Sequence, residues 1–231
     1  MIERHPFTSL PAADRGWLKA RFHFVHAGMG MGPENSLGPL IAWNDDEVGP
    51  RSGFPEHPHD NVEIVTFVRE GAITHHDTLG NSGRATAGQV QVMSAGSGLR
   101  HVEFNADDET ARLFQIWLTT RSLDVEPRWS MTGFPDGRTT DGFVVLASGD
   151  PGDADAIGIT ADARVLAARL APGDAVRQPL TSGRAYLVST AAALSVNGSP
   201  IAPRDGCRIE GEAELEILAS GATEVVLVDV I

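Results

Sequence analysis

The chain has 231 residues, of which 42% are hydrophobic and 21% charged, the balance of a globular protein long enough to bury a core without disulfides or a structural metal. Its formal net charge of −13 opposes direct binding to a phosphate backbone, and no apolar run approaches the roughly 18 residues of a membrane span. A single cysteine, Cys207, excludes a disulfide framework and a thiolate zinc site; with no apolar signal core near the N-terminus, this points to a reducing, cytoplasmic setting.

Strand signals dominate the pass along the chain. AADRGWLKARFHF (12–24) has a weak pattern that could hold one helical turn. GMGMGPE (28–34) superficially resembles a dinucleotide loop, but no strand–helix frame surrounds it, so it reads as a mobile lid or loop. Short runs rich in β-branched and aromatic residues follow: VEIVTFV (62–68), GQVQVM (88–93), LFQIWL (113–118), FVVLAS (143–148), RVLAARL (164–170), RAYLVS (184–189), ALSVNG (193–198), AELEIL (213–218) and TEVVLVDV (223–230). Gly-rich turns separate them, and VNGSP predicts a tight hairpin, because Asn-Gly readily takes positive φ. No segment sustains a helical apolar stripe. Many short strands between glycine turns predict an all-β sandwich or barrel. All eight histidines lie within the first 101 residues. Two β domains are expected, 1–125 and 126–231, with metal chemistry in the first alone.

The histidines carry the chemical argument. HPHDNVE places His57 and His59 at i and i+2, on one face of a strand, with Pro58 on the other, and the same parity runs on to Glu63. GLRHVEFN repeats the device with His101 and Glu103. If the two strands face each other across a barrel, four ligands converge. A lone H-x-H is more often a polar strand face or a satisfied core histidine. The joint pattern, H-P-H-x3-E followed some forty residues later by G-x2-H-x-E-x-N, predicts a metal site. Spacing alone does not choose between Glu63 and Glu103 as the carboxylate. His75 and His76 read as exposed residues of a turn that Asp77 and Asn81 shape, and His23 and His26 as possible residues of the barrel mouth.

GFPEHPHDNVEIVTFVREG and SAGSGLRHVEFN, with Gly98, His101 and Asn105 in the second, resemble the two signature motifs of the cupin superfamily. The wording is closer to pirin-type proteins: HPH, VEIVTFVREG, HHDTLGN, MSAGSGLRHVEFN and LFQIWL, strongest over residues 40–120. This resemblance implies a bicupin of two jelly-roll barrels whose N-terminal barrel binds one divalent transition metal. Fe(II) is foremost, with Cu, Ni, Co, Mn or Zn as alternatives. It carries the ligands over onto His57, His59, His101 and Glu103, and leaves Glu63 behind them or as the alternative ligand. It further implies cleavage of a flavonol such as quercetin by molecular oxygen with release of carbon monoxide. Glu103 would be the general base, and Phe54, Val65, Phe67, Met93 and Trp117 the apolar walls around a small aromatic substrate. The same family suggests a second role, a metal-bearing, redox-responsive regulator that docks on a protein partner. A third is a cupin acting on some other small molecule. A monomer is the expected state in each case.

Overall fold

The computed structural model describes residues 1–25, 36–134, 137–139 and 142–231. His26 and the GMGMGPE loop lie outside the described residues. Strands form almost everywhere else. In chain order they are β1 (Ile2–His5), β2 (Ala12–Asp14), β3 (Leu18–Phe24), β4 (Leu40–Val48), β5 (Ser52–His59), β6 (Val62–Glu70), β7 (Ala72–Asp77), β8 (Ser82–Thr86), β9 (Gln89–Ser94), β10 (Leu99–Asn105), β11 (Ala111–Thr119) and β12 (Arg128–Gly133). There follow β13 (Val144–Ser148), β14 (Ile157–Gly158), β15 (Ala163–Leu170), β16 (Ala175–Pro179), β17 (Arg184–Ser189), β18 (Leu194–Val196), β19 (Ser199–Ile201), β20 (Gly206–Glu210), β21 (Glu214–Ala219) and β22 (Thr223–Val230). Among the described residues the only helical element is a 3-10 turn, Phe7–Ser9.

All nine segments expected to be strands are strands. AADRGWLKARFHF is corrected: it forms β2 and β3, not a helical turn. Leu18, Ala20 and Phe22 alternate with the more exposed Lys19 and Arg21, and that period of two buries one side of a sheet. The VNGSP hairpin forms as predicted, with Asn197 at φ 45° and Gly198 at φ 80° between the paired Val196 and Ser199.

The fold is nearly all β and comprises two cupin barrels. One compact unit consists of Pro11–Gly133 with Ile159–Ala161, and the other of Met1–Leu10, Phe134–Gly158 and Asp162–Ile231. In the first, a seven-stranded sheet in the order β12-β9-β6-β11-β4-β3-β2 accompanies a four-stranded sheet, β5-β10-β7-β8. The second repeats this with β1-β20-β17-β22-β15-β13-β14 and β16-β21-β18-β19. Its core is largely apolar, although Asp229 is buried opposite Ala185, with Leu166, Leu187, Ile209 and Leu227 enclosed and Cys207 among them. Each such side chain contributes about 1.5–3 kcal/mol of burial.

The first unit differs. Among the described residues its apolar clusters include one around Val48, Ile73 and Leu113 and one around Ile64, Met93 and Leu99. The strand register sets a polar row beside them. Asn44, Gln115, Thr66 and Gln91 are consecutive partners across β4, β11, β6 and β9 and therefore share a face. That row underlies the histidines.

Candidate metal centre

His57 and His59 come from β5 and His101 and Glu103 from β10. The two strands are hydrogen-bonded neighbours, not opposite walls of a barrel as anticipated. His101 is the direct partner of His57, and Leu99 of His59. An irregularity follows, since Glu103 pairs with Phe54. The extra residue on β5 brings Phe54 onto the face that carries His57, although their spacing is odd. The imidazole centroids lie 4.4 Å apart for His57 and His101, 4.8 Å for His57 and His59, and 5.0 Å for His59 and His101. The donor atoms of these three all lie within 4.8 Å of one another, and those of His75, His101 and Glu103 do likewise. His101 is thus common to both groups, and Glu103 stands on its inner side.

The hydrogen bonds orient the donors. His57 Nδ1 lies 2.8 Å from the Pro55 carbonyl, to which it can only donate, so a neutral ring there has its lone pair on Nε2. That Nε2 lies 3.0 Å from His101 Nε2. Burial, and then the neighbouring His57 and His59, push the His101 pKa down to about 2, so the ring is neutral at pH 7 and one of its two nitrogens carries a lone pair. Two ligand atoms about 2.1 Å from one ion and at right angles to it stand about 3.0 Å apart. The spacing of the pair therefore fits a divalent transition ion. Glu103 is fully buried. The Gln91 amide donates to its Oε1 at 2.5 Å and the Gln115 amide to its Oε2 at 2.7 Å. Burial raises its pKa to about 7 against the lowering effect of those amides.

Glu63 lies elsewhere. A turn at Asn61, φ 48°, intervenes between β5 and β6, so the count from His59 to Glu63 does not stay on one strand. Its partners Leu118 and Ser94 belong to the face of the sheet opposite Thr66 and Gln115. There the Ser94 hydroxyl donates to Oε2 at 2.5 Å, and the Thr160 amide at 2.9 Å and its hydroxyl donate to Oε1. Val65 and Phe67 share that face, paired with Ile116 and Phe114, and do not border the histidines. Trp117 does, edge-on to His59 at 4.9 Å, and Phe54 stands beside His57 at 6.2 Å. Met93 is on the same face as Trp117, through their common partner Ile64. His23 packs against Trp43 at 6.0 Å.

The sequence reading missed His75. It is completely buried on β7, while its neighbour His76 is exposed as expected. The i, i+2 spacing of His75 and Asp77 was the available signal. The indole of Trp129 lies parallel to the His75 ring, 5.4 Å away at 14°. Directly across from His75 is Gly83, where an added Cβ would sit 2.2 Å from the Trp129 ring. Gly83→Ala is expected to displace Trp129 and cost about 1–3 kcal/mol, the usual penalty of overpacking. Near-ultraviolet circular dichroism and the urea midpoint measure the two effects; an unchanged indole signal would show that the stack does not depend on this glycine.

Two cupin barrels, one with a largely apolar core and the other holding a His/Glu constellation, define a bicupin whose candidate metal ligands, among the described residues, lie in the first barrel alone. Residues 5–118 match the Pirin family and residues 145–230 the quercetinase C-terminal cupin domain. A pirin-like protein of Caulobacter vibrioides is 51% identical over 99% of both chains. A quercetin 2,3-dioxygenase of Escherichia coli K12 is 31% identical over 94% of this chain and 93% of its own. The solved structure of the bacterial pirin YhhW in complex with nickel(II), also from Escherichia coli, superposes with a TM-score of 0.90 at 29% identity over 100% of this chain and 99% of that one. The chain belongs to the pirin family.

Proposed function

We propose that this chain is a metal-dependent dioxygenase that cleaves the ring of a flavonol such as quercetin with molecular oxygen, at a mononuclear site of His57, His59, His101 and Glu103. The observation that carries the reading is the His57–His101 approach, two imidazole nitrogens 3.0 Å apart beside a buried carboxylate. The relative named for this activity supports it. Fe(II) is the ion we assign, and the donor set also accepts Ni, Cu, Co, Mn or Zn. A bound divalent ion supplies Lewis acidity that favours the deprotonated flavonol hydroxyl.

The protein's own residues do the rest. His57 and His59 are half-buried, so the site opens toward solvent on their side. Phe54 and Trp117 flank that opening and offer flat apolar surfaces to an aromatic ring. Glu103, the one carboxylate among the assigned ligands, is the group that accepts the hydroxyl proton. Its two amide partners hold the carboxylate in place while it does so.

The test is metal analysis of the purified chain, then incubation of Fe(II)-loaded protein with quercetin in air. About one ion per chain, catalytic loss of the flavonol absorbance and release of carbon monoxide are expected. Stoichiometric metal with no turnover above that of the free ion, for every divalent metal tried, would reject the enzyme; a co-purifying protein partner would then favour the regulatory role.

A further inference from the structure

We propose that Asp77 and His75 are positioning residues behind His101, a relay in which the turn at Asp77 sets the tautomer of His75 and His75 sets that of His101. The inference rests on the metal centre proposed above and concerns how one of its ligands is aimed.

The relay begins in the backbone. Asp77 closes β7, and its Oδ1 accepts the amides of Leu79 and Asn81, each at 3.0 Å. Its Oδ2 accepts the Asn81 side-chain amide at 2.9 Å and faces His75 Nε2 at 3.1 Å. With these donors around it, the carboxylate acts as an acceptor only. His75 Nε2 must therefore carry the hydrogen, and in a neutral ring Nδ1 is left with a lone pair. That Nδ1 lies 3.3 Å from His101 Nδ1, which consequently must donate. His101 is then the Nδ1–H tautomer, and its Nε2 lone pair points at His57 Nε2.

Each member is held in register. His101 and Asp77 are direct partners across β10 and β7, as are Glu103 and His75, so all four side chains share the inner face. The Trp129 stack fixes the plane of His75, and Gly83 leaves room for it. A ligand imidazole ordinarily donates its second nitrogen to a carboxylate or carbonyl, and loss of such a partner typically lowers metal affinity about 10–100-fold. Here a second imidazole stands between ligand and carboxylate and transmits the constraint.

The wild-type protein loaded with Zn(II) and labelled with nitrogen-15 gives the direct reading. Long-range proton–nitrogen correlation should show Nε2–H on His75 and Nδ1–H on His101; Nδ1–H on His75 overturns the relay whether or not any variant folds. Asp77→Asn keeps an oxygen for the two backbone amides and replaces the other with a donor, which inverts the tautomers. Chelator competition should show its metal affinity reduced about 10–100-fold. His75→Phe, which preserves the stack on Trp129, should show a loss of the same size. Wild-type protein that binds no Zn(II) refutes the metal centre itself. Wild-type binding with an unchanged Asp77→Asn affinity refutes only the relay. Two ions per chain would make His75 a ligand and overturn it as well.

Discussion

His101→Ala is expected to weaken metal binding by at least 100-fold and to abolish flavonol turnover at micromolar metal. The argument is one of shared ligation. Apparent binding energies of about 10–16 kcal/mol for four-ligand protein sites correspond to about 2.5–4 kcal/mol per ligand, a factor of roughly 100–1,000 in affinity. His101 is the residue common to the His57/His59 and the His75/Glu103 groups, so its loss removes the side chain that stands between Glu103 and the other two histidines. Glu63→Gln supplies the contrast. Glu63 is also buried and acidic, but its oxygens face Ser94 and Thr160 on the other side of the sheet. That variant should lose stability and keep its metal. Glu103→Gln should do the reverse, because it removes the anionic donor while the Gln91 and Gln115 side chains stay. Chelator competition and urea unfolding on the same samples separate these cases. Equal metal loss in Glu63→Gln and Glu103→Gln would mean that the carboxylate ligand has been misassigned.

The contrast also marks where the sequence was readable. His57, His59 and His101 could be picked out because each sits in a motif of unusual composition, and i, i+2 spacing survives within a single strand. Parity failed at Glu63 because a tight turn at Asn61 resets the face. It failed again at Phe54, where an irregular register on β5 shifts the alternation by one. Val65 and Phe67 were ambiguous for a different reason. Every residue from Val62 to Val68 is buried, so VEIVTFV has no polar face from which to tell inside from outside. His75 was hidden by its neighbours: Asp77, Gly80 and Asn81 are turn formers, and they drew a buried residue inside a strand into the turn. Gln91 and Gln115 carry no signal in GQVQVM and LFQIWL, because a polar residue within a strand ordinarily faces water; here they face a carboxylate.

Asp46→Asn is expected to stabilise the protein by an amount that grows with pH between about 4 and 8 and levels off above that range. Asp46 lies on the interior face of β4, partnered with Leu113, and is completely buried. Neither carboxylate oxygen has a hydrogen-bond partner of good geometry. Burial first, and the adjacent Asp45 second, raise its pKa to about 8, against smaller lowering effects of Asn44 and Arg69. A folded-state value above the unfolded value of 3.8 means that the native state holds a proton the unfolded chain has released. Its stabilising effect is complete below the unfolded value and is lost as pH climbs through the folded one, at about 1.4 kcal/mol per pH unit. Asparagine has no proton to lose and nearly the same shape, so the variant escapes that decline. Between pH 5 and pH 8 the difference in unfolding free energy between variant and wild type should widen by up to about 4 kcal/mol, less whatever local relaxation recovers. Taking the difference cancels the titration of groups common to both proteins, and urea unfolding at the two pH values measures it. A difference that stays flat across the range would show that Asp46 is already ionised in the native barrel. The buried row beside it would then have to stabilise two carboxylate charges, Asp46 and Glu103, within one interior.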